Sequence, residues 1–314
     1  MDEPHTYRFV VASDHLYAIE EGTFYGSEQA VYATNDLAEH WNKIGAPHKT
    51  CALAGNESSI FALTSLGGVS RTRVGSDSWT QIKPGKGQSE YLYHICADST
   101  GRIATIGAEV ITVYDEDGTV AQTFHSDTSS GLFVSAFFSG HDERFLIVEA
   151  NPFSVFVVDL KTNKIKSWED GFESPPPPEL RGPSRVRPHG DRFLASLHDG
   201  IYVSSGMFKP WQKLSGDFKH EDSVLGGSFC RDLVSHNAEA DEWLIATNSG
   251  IQLMKESSQV RTVFVDKRDD HELILGVTPF EDCYFVSFAR LRNGCIGVRI
   301  AKDLSSSQAL YLSN

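Results

Sequence analysis

The chain has 314 residues, with 28 Lys and Arg against 42 Asp and Glu, which gives a formal net charge of −14 when the histidines are neutral. Hydrophobic residues make up 40% and aromatic residues 11%, enough for a large core, which excludes a disordered or low-complexity chain. Because a strongly acidic chain repels phosphate backbones, nucleic acid is not an expected partner.

The cellular location is predicted from hydropathy and from the cysteines. No apolar run approaches the roughly 20 residues of a membrane span, and residues 1–5 lack the basic and apolar regions of a signal peptide. The five cysteines are an odd number without a CxxC pair, which favours reduced thiols. We therefore expect a soluble cytoplasmic protein that does not bind membranes.

Short β-rich segments separated by Gly, Asp, Asn and Ser follow one another from the N-terminus. One motif recurs seven times: an apolar strand, a turn with Asp or Asn, and a second strand rich in Phe, Leu, Ile and Val. The turn residues are Asp14, Asn56, Asp98, Asp142, Asp191, Asp241 and Asp282, spaced by 42, 42, 44, 49, 50 and 41 residues. A third and a fourth strand follow each motif, and four strands in about 45 residues is typical of a β-propeller blade.

The prediction is therefore an all-β, single-domain, seven-bladed β-propeller of four-stranded antiparallel blades, with six blades as the nearest alternative. The predicted blades span approximately residues 7–47, 48–90, 91–131, 132–180, 181–223, 224–270 and 271–314. The four consecutive prolines in residues 173–179 favour an extended segment that cannot join a sheet. Because the repeats resume after it, we interpret it as a stiff loop between blades four and five; a linker between two domains is the alternative.

One hairpin sequence indicates a family resemblance. In the segment 32–41, Thr34, Asp36 and Trp41 occupy positions of the pattern S/T-x-D-x-G-x-x-W, with Ala38 in place of Gly. Segments 204–211 and 75–79 match it less completely. These segments resemble the Asp-box hairpin of BNR-type β-propellers, in which the Asp accepts backbone N–H bonds and the Trp packs between blades. The resemblance implies the propeller architecture.

The BNR-type family includes sialidases, which combine an arginine cluster, an Arg-Ile-Pro segment near the N-terminus and a Tyr/Glu nucleophile pair. This sequence has Tyr7-Arg8-Phe9 near its N-terminus and no Arg-Ile-Pro. The resemblance therefore carries no sialidase site over to this chain. Kelch and WD40 signatures are also absent from the sequence.

The segment 181–189 is a dense basic stretch in this acidic chain. It is predicted to connect the outer strand of blade four to the inner strand of blade five, at the mouth of the propeller channel. Arg185 and Arg187 alternate with Val186, so we expect both to point toward the channel. Arg181, Arg185, Arg187 and His189 are therefore predicted to bind an anion or a carboxylate. Alternatively, these arginines neutralise acids that line the channel.

Polar and aromatic side chains also occur at other predicted blade entrances, and the binding candidates among them are Tyr93, His94, His48 and His220. A metal site would need two or three ligands that converge, which the spacing does not show. No metal and no cofactor is therefore predicted. The alternative for these residues is ordinary loop polarity. Trp41, Trp79, Trp168 and Trp211 recur at similar places in their repeats, which favours packing over sugar stacking.

The sequence contains no G-x-S-x-G, P-loop or H-E-x-x-H motif. We therefore expect a non-enzymatic protein-binding propeller, an adaptor, scaffold or antitoxin-like partner binder that uses its inter-blade loops and channel mouth. The alternatives are a glycosidase-like or sialidase-like enzyme acting on a carbohydrate or a small anion, and a lectin.

Overall fold

A computed structural model of the chain describes residues 6–21, 30–36, 40–83, 92–125, 132–139, 143–151, 154–167, 185–189, 192–197, 200–206, 209–216, 230–237, 242–247, 250–255, 260–264, 272–280, 283–290, 296–303 and 306–310. Every regular element within these ranges is a β-strand, which confirms the all-β prediction. A helix long and apolar enough to cross a membrane does not occur in them.

The strands form seven four-stranded sheets, and within each sheet the spatial order of the strands follows the chain. The chain divides into two compact units, His5–Lys166 and Ser167–Asn314.

The first unit contains four sheets. Sheet 1 consists of β1 (Thr6–Ala12), β2 (His15–Glu21), β3 (Val31–Thr34) and β4 (Asn42–Ile44). Sheet 2 consists of β5 (Thr50–Gly55), β6 (Ser59–Thr64), β7 (Val69–Arg73) and β8 (Thr80–Lys83). Sheet 3 consists of β9 (Leu92–Ala97), β10 (Ile103–Gly107), β11 (Val110–Tyr114) and β12 (Val120–His125). Sheet 4 consists of β13 (Leu132–Ser139), β14 (Phe145–Asn151), β15 (Ser154–Asp159) and β16 (Lys164–Ser167).

The second unit contains three sheets. Sheet 5 consists of β17 (Arg185–His189), β18 (Arg192–Leu197), β19 (Gly200–Ser204) and β20 (Gln212–Gly216). Sheet 6 consists of β21 (Cys230–Asn237), β22 (Glu242–Thr247), β23 (Gly250–Lys255) and β24 (Val260–Phe264). Sheet 7 consists of β25 (Glu272–Phe280), β26 (Cys283–Arg290), β27 (Ile296–Asp303) and β28 (Ser306–Leu310).

Consecutive strands pair antiparallel, as in Thr6↔Glu21 of sheet 1 and Phe145↔Asp159 of sheet 4. We call the end of a sheet where its first strand begins the entrance end. The turn between the second and third strands lies at this end, and the turns after the first and third strands lie at the opposite, far end. The seven sheets follow one another along the chain in the order of the predicted blades, while the single-domain organisation stays a prediction.

Within each unit the core lies between neighbouring sheets. Tyr17 and Ile19 of sheet 1 pack with Leu53 and Ile60 of sheet 2, and Trp243 of sheet 6 packs with residues of sheet 5. Because a sheet with a neighbour on each face is covered on both sides, its middle strands can be buried along their whole length. In β10, every residue is buried.

The last strand of each sheet is its outer edge, and most of these strands are short and partly exposed. The residues of β4 and β8 are mainly polar. None of the seven outer strands carries Asp or Glu, and their cations are Lys43, Lys83, Lys164, Lys166, Lys213 and Arg261. Short edges with lysines resist pairing with other sheets, which is one way that β proteins avoid aggregation.

One turn depends on glycine. Gly118, in the far-end turn of sheet 3, has φ of 85°, and a Cβ atom there would lie 2.6 Å from the carbonyl oxygen of Ile82 in sheet 2. A residue with a side chain would be strained by the backbone angle and would also collide with this oxygen. Glycine therefore allows sheets 2 and 3 to approach closely at this turn.

Candidate functional site

Two of the predicted binding residues contact the first strand of the next sheet. The Tyr93 hydroxyl donates to the carbonyl of Phe133, and Nε2 of His94 lies 3.1 Å from the carbonyl oxygen of Ala136. Since a carbonyl only accepts, His94 Nε2 carries the proton in this contact. Both side chains are half-buried, and burial raises the pKa of Tyr93. They connect the inner strands of sheets 3 and 4.

His189 makes the corresponding contact in the second unit. It is 1% exposed, its Nδ1 lies 2.9 Å from the Ser235 hydroxyl, and its ring meets Trp243 edge-on with 5.0 Å between the ring centroids. Ser235 and Trp243 belong to the first and second strands of sheet 6. The side chain therefore lies between sheets 5 and 6.

Arg187 shares the face of β17 that carries His189, because alternate residues of a strand point to the same side. His189 on this face packs against sheet 6, and the orientation of Arg187 toward a channel stays a prediction. The half-buried Arg187 side chain donates from Nη1 to the carbonyl of Val186 at 2.8 Å. Arg185 lies in β17 but its side chain is not described, and Arg181 and His220 lie outside the described residues.

His48 is exposed at the entrance end of sheet 2, next to Lys49, whose φ is 63°. Such a positive angle is uncommon for a residue with a side chain and is found often at binding sites. The carbonyl of Lys49 accepts the Ser65 N–H at 2.9 Å, which fastens this segment to the turn that exposes Leu66. The entrance end of sheet 2 thus combines cationic, imidazole and aliphatic side chains.

A network at the far end of sheets 2 to 4 was not among the predicted sites. The Asp98 side chain is fully buried and accepts from Arg102 Nε at 2.5 Å, while Arg102 Nη2 donates to the Glu143 carbonyl at 2.9 Å. Asn56 Nδ2 donates to the Asp98 carbonyl at 2.8 Å, and the Ser99 N–H donates to the Glu143 carboxylate at 2.6 Å. The signal for it was the regular spacing of the turn residues, which superposes the turns of successive sheets.

The hairpin that carries the Asp-box-like pattern has a carboxylate at its centre. Asp36 accepts the Thr34 hydroxyl at 2.7 Å, the His40 N–H at 3.1 Å and His40 Nδ1 at 2.7 Å. These hydrogen bonds, first that of Thr34 and then those of His40, lower the pKa of Asp36 to about 2. Trp41 packs on Phe9 with 6.3 Å between the ring centroids.

Asp36 is expected to make the free energy of unfolding depend on pH in the acidic range. Since its pKa is lower in the folded protein than the ordinary 3.8, its contribution is present above pH of about 4 and is lost as the pH falls toward about 2. In urea titrations, the difference in unfolding free energy between the wild type and Asp36→Asn is therefore expected to shrink over this interval. The exposed Asp77→Asn serves as the control. A difference for Asp36→Asn that is unchanged at pH of about 2 would contradict this assignment.

The tryptophans pack as predicted for structural residues. Trp79 lies against the cluster between sheets 1 and 2, and Trp211 is buried. Trp168 lies outside the described residues.

Among the described residues, no group of three or more His, Cys, Asp or Glu side chains could hold a metal ion. Burial raises the pKa of the Cys96 thiol, so this sulfur stays protonated and unreactive at neutral pH.

No protein-family model matches the sequence, and no curated protein does. Several solved structures do match the fold. A structure of YCF48 bound to D1 peptide is 13% identical, with a TM-score of 0.63, over 94% of this chain and 93% of the other. YCF48 from Cyanidioschyzon merolae is 12% identical, with a TM-score of 0.64, over 94% and 96%.

The chain has the β-propeller fold. PorZ of Porphyromonas gingivalis, a surface component of the type-IX secretion system, is 13% identical with a TM-score of 0.60, and the match covers all of this chain but 39% of PorZ. These identities are too low to transfer a function. The structural matches confirm the predicted fold, while the BNR-type relationship stays a prediction.

Proposed function

We propose that this propeller is a non-enzymatic protein-binding module, an adaptor or scaffold that holds a protein partner at the entrance end of its sheets. The observation that carries the proposal is the exposed Leu66, presented on a fixed turn beside Lys49 and His48. A neighbour with this fold, YCF48, has been solved with a bound peptide, which supports the same class of function.

The Leu66 turn is held by its own hydrogen bonds. Thr64 N–H donates to the Gly68 carbonyl at 2.9 Å, and Gly67 N–H donates to the Thr64 carbonyl at 2.8 Å. Gly67 has φ of 78°, and Leu66 is 41% exposed. A fixed loop loses little conformational entropy when a partner binds, so an exposed aliphatic side chain on it can contribute most of its burial energy to affinity.

The polar side chains of the inner strands have a structural role. Tyr93, His94 and His189 each contact the neighbouring inner strand, as described above. Holding sheets together accounts for these residues without a reaction. This arrangement favours recognition through the loops over catalysis.

The test is affinity capture from the native host with wild type, Leu66→Asp and Val11→Asp. Val11 is also an exposed aliphatic residue, 38% exposed, but it lies near the far end of sheet 1, so its variant matches the charge change. We expect Leu66→Asp to lose the captured proteins and Val11→Asp to keep them, with both variants retaining the wild-type unfolding transition. Equal capture by all three, or a glycan-array signal with no protein partner, would overturn the proposal.

The arginine pair is tested in the same experiment. Arg185→Glu/Arg187→Glu changes the charge of β17, and a reduced set of captured proteins would extend the binding surface to sheet 5. An unchanged set would remove the arginines from the proposed site.

A further inference from the structure

The far end of sheet 4 carries a basic hairpin, which we define as residues 161–166. All six of its residues are exposed. Its lysines are Lys161, Lys164 and Lys166, in a chain whose net charge is −14. Between the last two lies Ile165, 46% exposed. The hairpin therefore combines positive charge with an exposed aliphatic side chain.

Ile165 is more exposed than an aliphatic residue in each of three other outer strands, β4, β8 and β20. Ile44 of β4, Ile82 of β8 and Leu214 of β20 each pack against a buried cluster of their own unit. Each of these three residues, like Ile165, is adjacent in sequence to a lysine of its outer strand. In β4, β8 and β20 the aliphatic residue covers the core, whereas nearly half of the surface of Ile165 in β16 faces solvent.

The turn that leads into β16 is fixed. Asp159 accepts the Lys161 N–H at 3.0 Å and the Thr162 N–H at 3.3 Å, and Arg144 grips the same carboxylate through Nε at 2.9 Å and Nη2 at 2.5 Å. Hydrogen bonding to Arg144 keeps the pKa of Asp159 well below its ordinary range, so this carboxylate is ionised at neutral pH. The nearby Asn163 has φ of 53°.

Sheet 3 also contacts the segment that leads into the hairpin. Gln122 Nε2 donates to the carbonyl of Leu160, the residue just before the hairpin, at 2.6 Å. The backbone of the turn that carries the lysines is therefore fixed by two sheets before any partner binds, which lowers the entropic cost of binding.

We propose that the basic hairpin docks an acidic, extended segment of a partner protein. β16 is the last strand of sheet 4, so an incoming strand can pair with its outer edge through backbone hydrogen bonds. Lysines on such an edge repel basic strands and favour one with carboxylates. The exposed Ile165 adds a contact for an aliphatic residue of that segment.

The same features distinguish a peptide from a polyanion. A phosphate backbone would make no use of Ile165 or of the backbone hydrogen-bonding groups at the outer edge of β16. This surface also lies at the far end of its sheet, away from the entrance end proposed above for the principal partner.

The test uses fluorescence anisotropy with a labelled synthetic peptide of about ten residues in which Glu and Val alternate. Comparison probes are a Lys/Val peptide, a Glu/Gly peptide and a single-stranded DNA of similar length. We expect the Glu/Val peptide to bind best, and added salt to weaken its binding because the lysines are exposed.

Two pairs of variants make the test specific. Lys161→Glu/Lys164→Glu is expected to weaken binding about tenfold or more, whereas Lys43→Glu/Lys209→Glu, with the same change in net charge, is expected to change it by less than about twofold. Ile165→Thr is expected to weaken binding, and Val120→Thr, at a residue 56% exposed on β12, is not. The unfolding transition of each variant is measured alongside.

Several results would overturn the proposal. They are an absence of binding by the Glu/Val peptide, equal losses in the two lysine variants, equal binding of the Glu/Gly peptide, and DNA binding with the same dependence on Lys161 and Lys164. The last result would identify a general polyanion surface instead.

Discussion

Replacing Asp98 with alanine is expected to lower the free energy of unfolding by about 3 kcal/mol, because it removes one member of a buried ion pair and leaves Arg102 without its carboxylate. The Asp98 side chain has no exposed surface, and it also accepts the Thr100 hydroxyl at 2.8 Å and the Arg102 N–H at 2.8 Å. Urea denaturation checks this as a lower midpoint at an unchanged m value.

The loss of Asp98 is expected to reach sheet 4. Arg102 donates to the carbonyl of Glu143 and lies over the ring of Phe138, with 5.7 Å to the ring centroid. Without Asp98 to orient the guanidinium, these contacts weaken as well. Faster amide exchange in β13 is therefore expected to accompany the lower stability.

Asp117→Ala is the matched control, because the exposed Asp117 also caps a far-end turn, accepting the Thr119 N–H at 2.8 Å. It has no part in the Asp98–Arg102 pair. We expect a much smaller loss of stability than for Asp98→Ala. Equal losses would show that turn capping, and not the buried ion pair, accounts for the effect of Asp98.

Trp243→Ala is expected to lower the free energy of unfolding by about 3–5 kcal/mol, because it opens a cavity between sheets 5 and 6. The side chain is fully buried and packs with Leu194, Ile201 and Leu233, and its ring also meets His189. Chemical denaturation followed by far-ultraviolet circular dichroism checks the value without relying on the fluorescence of the deleted tryptophan.

Trp243→Phe distinguishes the effect of the cavity on stability from the effect of the buried Nε1 donor. Nε1 of Trp243 is buried and has no hydrogen-bond partner among the described residues. Phenylalanine removes this unsatisfied donor and keeps most of the apolar contact, so we expect it to cost less than half of the loss caused by alanine. An equal loss in the two variants would contradict the cavity explanation.

The two substitutions together also test the single-domain prediction. Asp98 lies in the unit of His5–Lys166, and Trp243 lies in the unit of Ser167–Asn314. If the chain unfolds as one domain, each substitution shifts the same cooperative transition. Two transitions, each moved by only one of the substitutions, would show two domains and would return the proline-rich segment 173–179 to the role of a linker.

Much of the fold could be predicted because its determinants are local. A turn residue such as Asn56 or Asp98 terminates one strand and begins the next through short-range hydrogen bonds, and apolar runs such as Ile103–Gly107 predict covered strands. Regular spacing then indicates repeated sheets of four strands. None of these inferences needs a contact between residues that are far apart in sequence.

The candidate site was harder to predict from the sequence, because the contacts of its residues depend on neighbouring sheets. The pattern Arg-Val-Arg predicts that alternate side chains of β17 share one face, but it does not say what that face meets. Tyr93 and His94 were selected as polar residues at a blade entrance. Their bonds to Phe133 and Ala136 join residues about 40 positions apart, and such pairings follow only from how the sheets stack.

By itself, the sequence determined an all-β chain of four-stranded repeats and a net charge of −14, because strand period, turn chemistry and composition are properties of neighbouring residues. Tertiary structure alone decided that Asp98 is a buried partner of Arg102, that Tyr93 and His94 join two sheets, and that Ile165 remains exposed between lysines. Burial and hydrogen bonding depend on surfaces that meet only when the sheets pack together.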